Sequence, residues 1–443
     1  MNLKLVCVLS LLSCHLVSGH AQETQAIPAS IPADLSVDVT AQLNEFFAAV
    51  PDGSTIIFPK EGRYRIDGTV LIENKKEITI EGNGVLLRAF EPGEDHGKQE
   101  NYQGWRRTRN RAHVRISGSE NIVVRDLEVH GAHPNPGKQG TYAANREAQH
   151  GFDLVRVKNC TLEHVVVHDV YGDCVYVTKV RGVIIRDSKL TRCGRQGIAI
   201  ATGENILIEN NEIDDSRRGI IDIEPYGQEW HTSNISIIGN RLGGSRLLLL
   251  PMGGGGSIGA LFIADNENTA HNGTPAIANR GKPGQHRGPF MMINNRFTIG
   301  GSPAKGIQVQ HNDGVFIAGN RLAFPDNRHM TALDLNGSQG VVVGNVFDGA
   351  ANIVDSSSNI LEINNSVNAE SADVPGTEWQ RIDGGFAVRV STTDGEFIAL
   401  MRCGDGTTTE MLSGYGQSTQ ADFAWFQIRD QRTVNHGERV TKQ

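Results

Sequence analysis

Asp222 and Glu224 stand two apart in the run Ile221-Asp222-Ile223-Glu224. In a strand, both side chains leave the same face, with Cα atoms about 6.5 to 7 Å apart at a rise of ~3.3 Å per residue. Hydrolysis of a glycosidic bond uses two carboxylates about 5 to 9.5 Å apart, one as proton donor and one as base or nucleophile. Arg217 and Arg218 precede the pair, and Ile223 and Pro225 flank Glu224. A guanidinium favours the ionised form of one carboxylate, whereas apolar neighbours favour the protonated form of the other. Such a pair could equally hold a cation or serve no chemistry.

The same alternation can be traced through other short runs. Phe152, Val175, Ile198, Ile221, Ile307 and Leu333 align as one apolar column, and Leu154, Val177, Ile200, Ile223, Val309 and Leu335 as a second. The positions between them then face outward. One outward row holds Asp153, Tyr176, Ala199, Asp222, Gln308 and Asp334, and the other holds Val155, Thr178, Ala201, Glu224, Gln310 and Asn336. The two alanines leave a hollow between polar groups, which describes a groove. His150, Asp173, Arg195, Arg217 and Arg218 come just before these runs, and Tyr226, Trp230, His231 and His311 just after. Carboxylates, guanidinium groups, amides and rings together suit a chain of sugars, whose hydroxyls take bidentate partners and whose ring faces stack on aromatics. A lyase would use the same wall differently. Tyr176, His150 or an arginine would be its base, and arginine, or calcium on Asp153 and Asp222, would neutralise the enolate-like intermediate. A third possibility is a glycan-binding or cell-surface protein that does no chemistry.

The elements that would position these side chains show in the asparagines at 211, 240, 266, 295, 320, 345 and 365, most of which follow a short apolar run. Their spacing of 20 to 29 residues is that of a repeat too small to bury its own apolar face, which must therefore stack on its copies. A corner between two strands favours Asn, Gly or Asp because it needs left-handed backbone geometry. Stacked asparagines can in addition donate to one neighbour and accept from the next, forming an internal ladder. The expected class is all-β, a solenoid of strands and tight turns, which fits 51 glycines among 443 residues with only 21% charged.

A formal charge of -8 argues against nucleic acid, whose phosphates need a basic face. Residues 1–21 read as a signal peptide, with Lys4, an apolar run from Leu5 to Val17 and small residues before Ala21. That run is too short to span a bilayer, and no later one is longer. The expected setting is secreted or periplasmic. Leu11-Leu12-Ser13-Cys14 loosely resembles a lipoprotein box, with Leu12 a poor fit. Cys160, Cys174, Cys193 and Cys403 remain after cleavage; disulfides are allowed, while Cys160 and Cys174 read as coil-filling residues. The oligomeric state has no signature in the sequence.

Residues 22–36 read as a linker, and Asp38 to Val50 as an amphipathic helix with Val39, Leu43, Phe46 and Phe47 on one face. The strand-turn succession Thr55–Phe58, Val70–Ile72 and Ile78-Thr79-Ile80-Glu81-Gly82-Asn83-Gly84 follows. Here the chain resembles the start of the pectate-lyase-like superfamily of right-handed, single-stranded parallel β-helices. That resemblance implies a pectin-lyase-like solenoid over residues 37–371 with the helix capping its open first coil, and an extracellular polysaccharide as partner. Residues 372–443 read as a small β-rich cap or appendage. Insertions at Glu91–His113 (with Trp105, Arg106, Arg107, Arg109 and Arg111), Ala132–Gln149, Tyr226–Thr232 and Glu267–Arg287 are expected over a functional face. His150-Gly151-Phe152-Asp153 resembles part of an alginate C5-epimerase motif, although Leu154-Val155 replace its Pro-His. Gly172-Asp173-Cys174 keeps one of the two adjacent aspartates of polygalacturonase-like hydrolases, and the Arg-x-Pro-x-x-Arg pattern of pectate lyases is absent.

Overall fold

The structure is a computed structural model. It describes residues 23–93, 111–247, 249–268, 276–285, 287–300, 305–312, 314–325, 331–350, 352–355, 360–363, 365–367, 376–382, 385–392, 395–403, 409–416, 423–429, 434–435 and 439–440. The expected leader, residues 1–21, lies outside the described residues, as do Trp105, Arg106, Arg107 and Arg109 of the first insertion. No helix among the described residues is long and apolar enough to cross a membrane.

Short parallel strands wind into a right-handed solenoid, each coil pairing with the next. One face is a sheet of eleven strands, among them Val114–Ser117, Phe152–Val155, Val175–Thr178, Ile198–Ile200, Ile221–Ile223, Leu250–Met252, Ile277–Arg280, Lys305–Gln310 and Thr331–Asp334. We call it the front face. Two further columns of strands form the rest of the wall, one running through Lys158–Glu163, Val180–Arg186 and Gly203–Glu209, the other through Val166–Val170, Lys189–Cys193 and Arg241–Leu242. The core is a continuous stack of inward Ile, Val, Leu and Phe, including Phe152, Val175, Ile198, Ile221, Ile307 and Leu333. The helix Thr40–Ala49 packs Leu43 and Phe47 onto the first coil. Thr24–Ala26 and Asp34–Asp38, within the stretch expected to be a linker, pair in parallel with Thr55–Ile57 and Arg63–Arg65.

The asparagine ladder is present and buried. The side-chain oxygen of Asn240 accepts from both the backbone N–H of Asn211 (2.9 Å) and its side-chain amide (3.0 Å). The same double contact repeats from Asn240 to Asn266, Asn295, Asn320, Asn345 and Asn365. One detail of the expectation is corrected. The left-handed residue is the one before each ladder asparagine: Asn210 (φ 54°), Gly239 (66°), Asp265 (55°), Asn294 (54°) and Gly319 (65°). Putting the positive φ there turns the chain and leaves the next side chain pointing inward, where its amide meets backbone carbonyls. The amide of Asn320, for example, donates to Met292 O and Ala318 O.

The expected alignment skipped two front-face coils. Leu250–Met252 was hidden by Pro251, since proline inside a run argues against a central strand. Ile277–Arg280 lies inside the stretch read as an insertion, Glu267–Arg287. The second inward column is also not wholly apolar, because Asn279 pairs with Val309 and is buried, its amide bonded to Asn312 Oδ1 at 3.1 Å. Cys174 is not simply a filler: it is bonded to Cys193 across adjacent coils (Cα–Cα 5.6 Å), while Cys160 is a buried free thiol.

From Gly376 the strands become antiparallel. Val388, Val390 and Trp379 rest on outward apolar residues of the solenoid, including Phe262, Met291, Phe316 and Val343. Trp379 stacks edge-on against Phe262 (5.2 Å) and donates to Asp265 Oδ2 at 2.6 Å.

Replacing Asn320 with Leu removes the acceptor for two donors of Asn295 and the donor to two carbonyls, all buried. We expect stability to fall by about 1 to 3 kcal/mol, read as a lower melting temperature in calorimetry; an unchanged value would show that the ladder is not load-sharing.

Candidate functional site

Strand register places the candidate residues. Arg115, Asp153, Tyr176, Ala199 and Asp222 pair in succession across the front face. Further on, Ala278, Gln308 and Asp334 continue the same row after the coil of Pro251. Asp153, Asp222 and Asp334 thus lie along one side of the molecule. They do not lie together. Asp153 and Asp222 are three strand spacings apart, ~14 Å at ~4.8 Å each, too far for one calcium whose ligands sit about 2.3 to 2.6 Å from the ion. Calcium shared between them, one of the expectations, is therefore excluded by geometry.

The first group surrounds Asp173. This carboxylate is fully buried; its Oδ2 is 3.0 Å from Arg195 Nη1 and 3.2 Å from His150 Nδ1, and its Oδ1 accepts the backbone N–H of Gln196 at 2.9 Å. Burial pushes its pKa up, but the Arg195 charge and these hydrogen bonds outweigh burial, and the net shift is downward. The His150 ring stacks on Tyr176 with centroids 4.5 Å apart and planes 8° from parallel. Asp153 accepts from Arg115 Nε at 2.7 Å. Burial, reinforced by Tyr226 and the Asp153 charge, drives the Tyr176 phenol well above its usual range. It thereby keeps its proton and is unsuited to the base role considered for it.

The second group contains the carboxylate pair. Asp222 Oδ2 accepts from the Gln196 amide at 2.7 Å, and the residue is only 6% exposed. Burial and then the nearby Glu224 charge raise its pKa to about 8, against the opposing pull of Arg195. Glu224 is the more exposed partner, with its side chain 35% accessible and Oε2 3.6 Å from Arg195 Nη2. Arg195 therefore joins the two groups. It faces Asp173, Glu224, Glu147 (3.6 Å) and the Tyr226 hydroxyl (3.5 Å). Glu147 comes from the insertion after residue 132 and also accepts from the Tyr142 hydroxyl.

Arg217 and Arg218 do not take the part expected of them. Neither pairs with Asp222 or Glu224 among the described residues; Arg218, the counterpart of Arg195 one coil on, instead lies over the Tyr142 ring at 5.2 Å. The hollow expected at Ala199 and Ala201 is covered, both being buried (5% and 2%) beneath Tyr176, Tyr226 and Trp230. Tyr226 and Trp230 meet edge-to-face at 5.6 Å, with Lys179 Nζ 6.0 Å from the Trp230 ring. His231 turns to Ser257 Oγ (2.7 Å). A third group stands ~19 Å from Asp222, four spacings of ~4.8 Å. Here Asp334 Oδ2 accepts from Gln310 (2.6 Å), Lys305 (3.0 Å) and Gln308 (3.2 Å). His311 follows at a left-handed corner (φ 53°) beyond that group.

Arg115, Gln196 and Glu147 were missed. Gln196 had a signal: it precedes inward Ile198 by two residues, as His150 precedes Phe152 and Asp173 precedes Val175. Arg115 had one too, a coil earlier than the alignment began. Glu147 had none, since its insertion folds back from outside the repeat. Within the two joined groups, His150 Nε2, Asp153 Oδ1 and Gln196 Oε1 are buried without a hydrogen-bond partner among the described residues. Buried polar atoms of this kind need an explanation such as a catalytic or binding role. A shallow cavity of about 610 Å³, lined by Lys60, Asp126, Glu128 and His164, lies on a different face and is not part of this site.

Residues 112–272 match the family model described as a right-handed beta helix region. Comparison with curated proteins gives no significant match. Among solved structures, the chain is similar to PfbA, a surface adhesin of Streptococcus pneumoniae, with 11% identity and a TM-score of 0.51 over 85% of this chain and 99% of that one. The periplasmic alginate epimerase AlgG shares 12% identity over 71% of this chain and 77% of its own, with a TM-score of 0.46. The family 28 exopolygalacturonase of Yersinia enterocolitica shares 9% over 80% and 79%, with a TM-score of 0.40. At these identities the likeness is one of fold.

The raised pKa of Asp222 has a consequence for stability. Between about pH 4, where an unfolded aspartate ionises, and about pH 8, where folded Asp222 does, folding takes up a proton. Stability falls as pH rises through that window. Asp222→Asn escapes this loss, so its melting temperature relative to the parent should climb from pH 4.5 to pH 8; a pH-independent difference in calorimetry would refute a buried neutral carboxyl.

Proposed function

We propose that this chain is a polysaccharide-cleaving β-helix working outside the cytoplasm, with an acidic glycan laid along the front-face row and a glycosidic bond hydrolysed at Asp222 and Glu224. The observation that carries this is a buried carboxyl, Asp222, 6% exposed, standing two residues from a second, more exposed carboxylate that faces Arg195; burial and the Glu224 charge raise the Asp222 pKa to about 8. Protonated Asp222 donates its proton to the glycosidic oxygen as the bond to the sugar breaks. Glu224 takes a proton from the attacking water or attacks the sugar itself. Tyr226 and Trp230 offer apolar faces for a sugar ring, and Lys179, Arg218 and Arg280 border the row with positive charge for uronate groups. The Cys174–Cys193 disulfide supports an oxidising compartment.

A second reading, glycan binding without turnover, is favoured by the low exposure of Asp222, 6%. An elimination or C5-epimerisation would centre on His150, Asp153, Tyr176 and Arg195.

Incubating the purified protein with acidic and neutral polysaccharides separates these readings. Hydrolysis releases reducing ends without absorbance near ~235 nm, elimination produces that absorbance through a new carbon–carbon double bond, epimerisation changes the uronate composition alone, and binding leaves the polymer intact. We expect hydrolysis that declines as pH rises through about 8, and Asp222→Asn should lower it by roughly 10²- to 10⁴-fold, the usual worth of a general acid. Full activity in that variant would remove Asp222 from the mechanism.

A further inference from the structure

Away from the front face, His130 and His168 sit opposite one another on adjacent coils, with ring centroids 4.3 Å apart. Glu128, two residues before His130, points from the same face and brings Oε1 to 3.0 Å from His168 Nε2. The other ring nitrogen of His168, Nδ1, is 2.7 Å from Asp169 Oδ2. Arg192 Nε in turn donates to Asp169 Oδ1 at 2.7 Å. An imidazole held between two carboxylates has a donor–acceptor problem. The neutral ring can donate to only one of them; the imidazolium satisfies both, and so does a cation at Nε2 while Nδ1–H donates to Asp169.

We propose that Glu128, His130 and His168 form a binding site for a divalent transition-metal ion, zinc being the best fit. One donor atom from each residue lies within 4.8 Å of the others. Tetrahedral zinc, with bonds of about 2.0 to 2.2 Å to nitrogen and oxygen, sets its ligands ~3.3 Å apart. The Glu128–His168 pair already has nearly that separation, and His130 needs only a side-chain adjustment, which its partial exposure of 26% allows. Two imidazoles and one carboxylate favour zinc over calcium, which takes oxygen ligands. Asp169 supplies the carboxylate behind a ligating histidine that fixes ring orientation and tautomer. The shallow cavity beside Glu128 gives the ion a path from solvent. The ion would tie the coils of Glu120–His130 and Val166–Val170 together, and this role does not depend on the glycan reading.

The test is titration of zinc chloride into the full-length, chelator-treated protein by calorimetry, with cobalt(II) absorption as a second readout of coordination geometry. We expect about one equivalent bound, a tetrahedral cobalt spectrum, and a higher melting temperature with zinc. His130→Gln and Glu128→Gln should each weaken binding at least tenfold, and Asp169→Asn by roughly 10- to 100-fold. His164→Gln, a neighbouring exposed histidine, should leave it unchanged. Absence of saturable binding, or binding of equal strength in His130→Gln and Glu128→Gln, would overturn the proposal. Should either variant fail to fold by circular dichroism, an octahedral cobalt spectrum with the parent protein would overturn it as well.

Discussion

In-register parallel stacking governs this molecule. Backbone N–H and C=O groups of the strands pair with the coils on either side, so each strand residue sits ~4.8 Å above its counterpart and like positions accumulate into columns. A column must then be chemically self-consistent. Inward columns are Ile, Val, Leu and Phe because a single polar side chain there must find a partner in the next coil, as Asn279 does in Asn312. At the corner that breaks the strand, the asparagines solve the same problem along the axis, each amide oxygen accepting two N–H groups from the coil before it. Burial without this pairing would cost about 1 to 3 kcal/mol per polar group, so the ladder is what permits a sharp polar corner inside an apolar stack.

The same stacking creates the electrostatics of the front face. Carboxylates on neighbouring coils cannot move apart, and those on one strand are fixed two residues apart, so repulsion is relieved by protonation or by a shared cation. Both occur. Arg195 neutralises Asp173 and reaches Glu224, while Asp222, buried and bonded to an amide rather than a guanidinium, keeps its proton. Asp173 and Asp222 thus acquire different protonation states from different surroundings. The Cys174–Cys193 bond joins the residues next to Asp173 and near Arg195, holding the two coils that carry this ion pair.

A solenoid wall has an outer side, and an apolar outer column needs a cover. Phe262, Met291, Phe316 and Val341 form such a column, and the antiparallel strands after Gly376 place Val388, Val390 and Trp379 over it. Among the described residues the front face has no comparable cover of strands. Its cover is local, from Tyr226 and Trp230 in a corner loop, and it bears on the alanines of the row. Elsewhere on the row Gln308 is half-buried, whereas Asp153 and Asp334 are buried against Arg115 and against Lys305 and Gln310.

Much of the fold was legible because a repeat states its geometry many times. The asparagine spacing implied stacked coils, the period of two sorted inward from outward side chains, and both were read correctly for the strands of Phe152, Val175, Ile198, Ile221, Ile307 and Leu333. Where the local pattern was masked, as by Pro251 or within Glu267–Arg287, coils were overlooked. The site was legible only as a list of outward residues. Local sequence determined which side chains share a row, since alternation along a strand is a property of the backbone itself. Tertiary structure alone decided that Arg195 rather than Arg217 or Arg218 meets Glu224, that burial and the Glu224 charge keep Asp222 protonated, and that Glu147 folds in from an insertion. Charge interactions depend on distance and solvent exclusion in three dimensions, and neither is encoded in spacing along the chain.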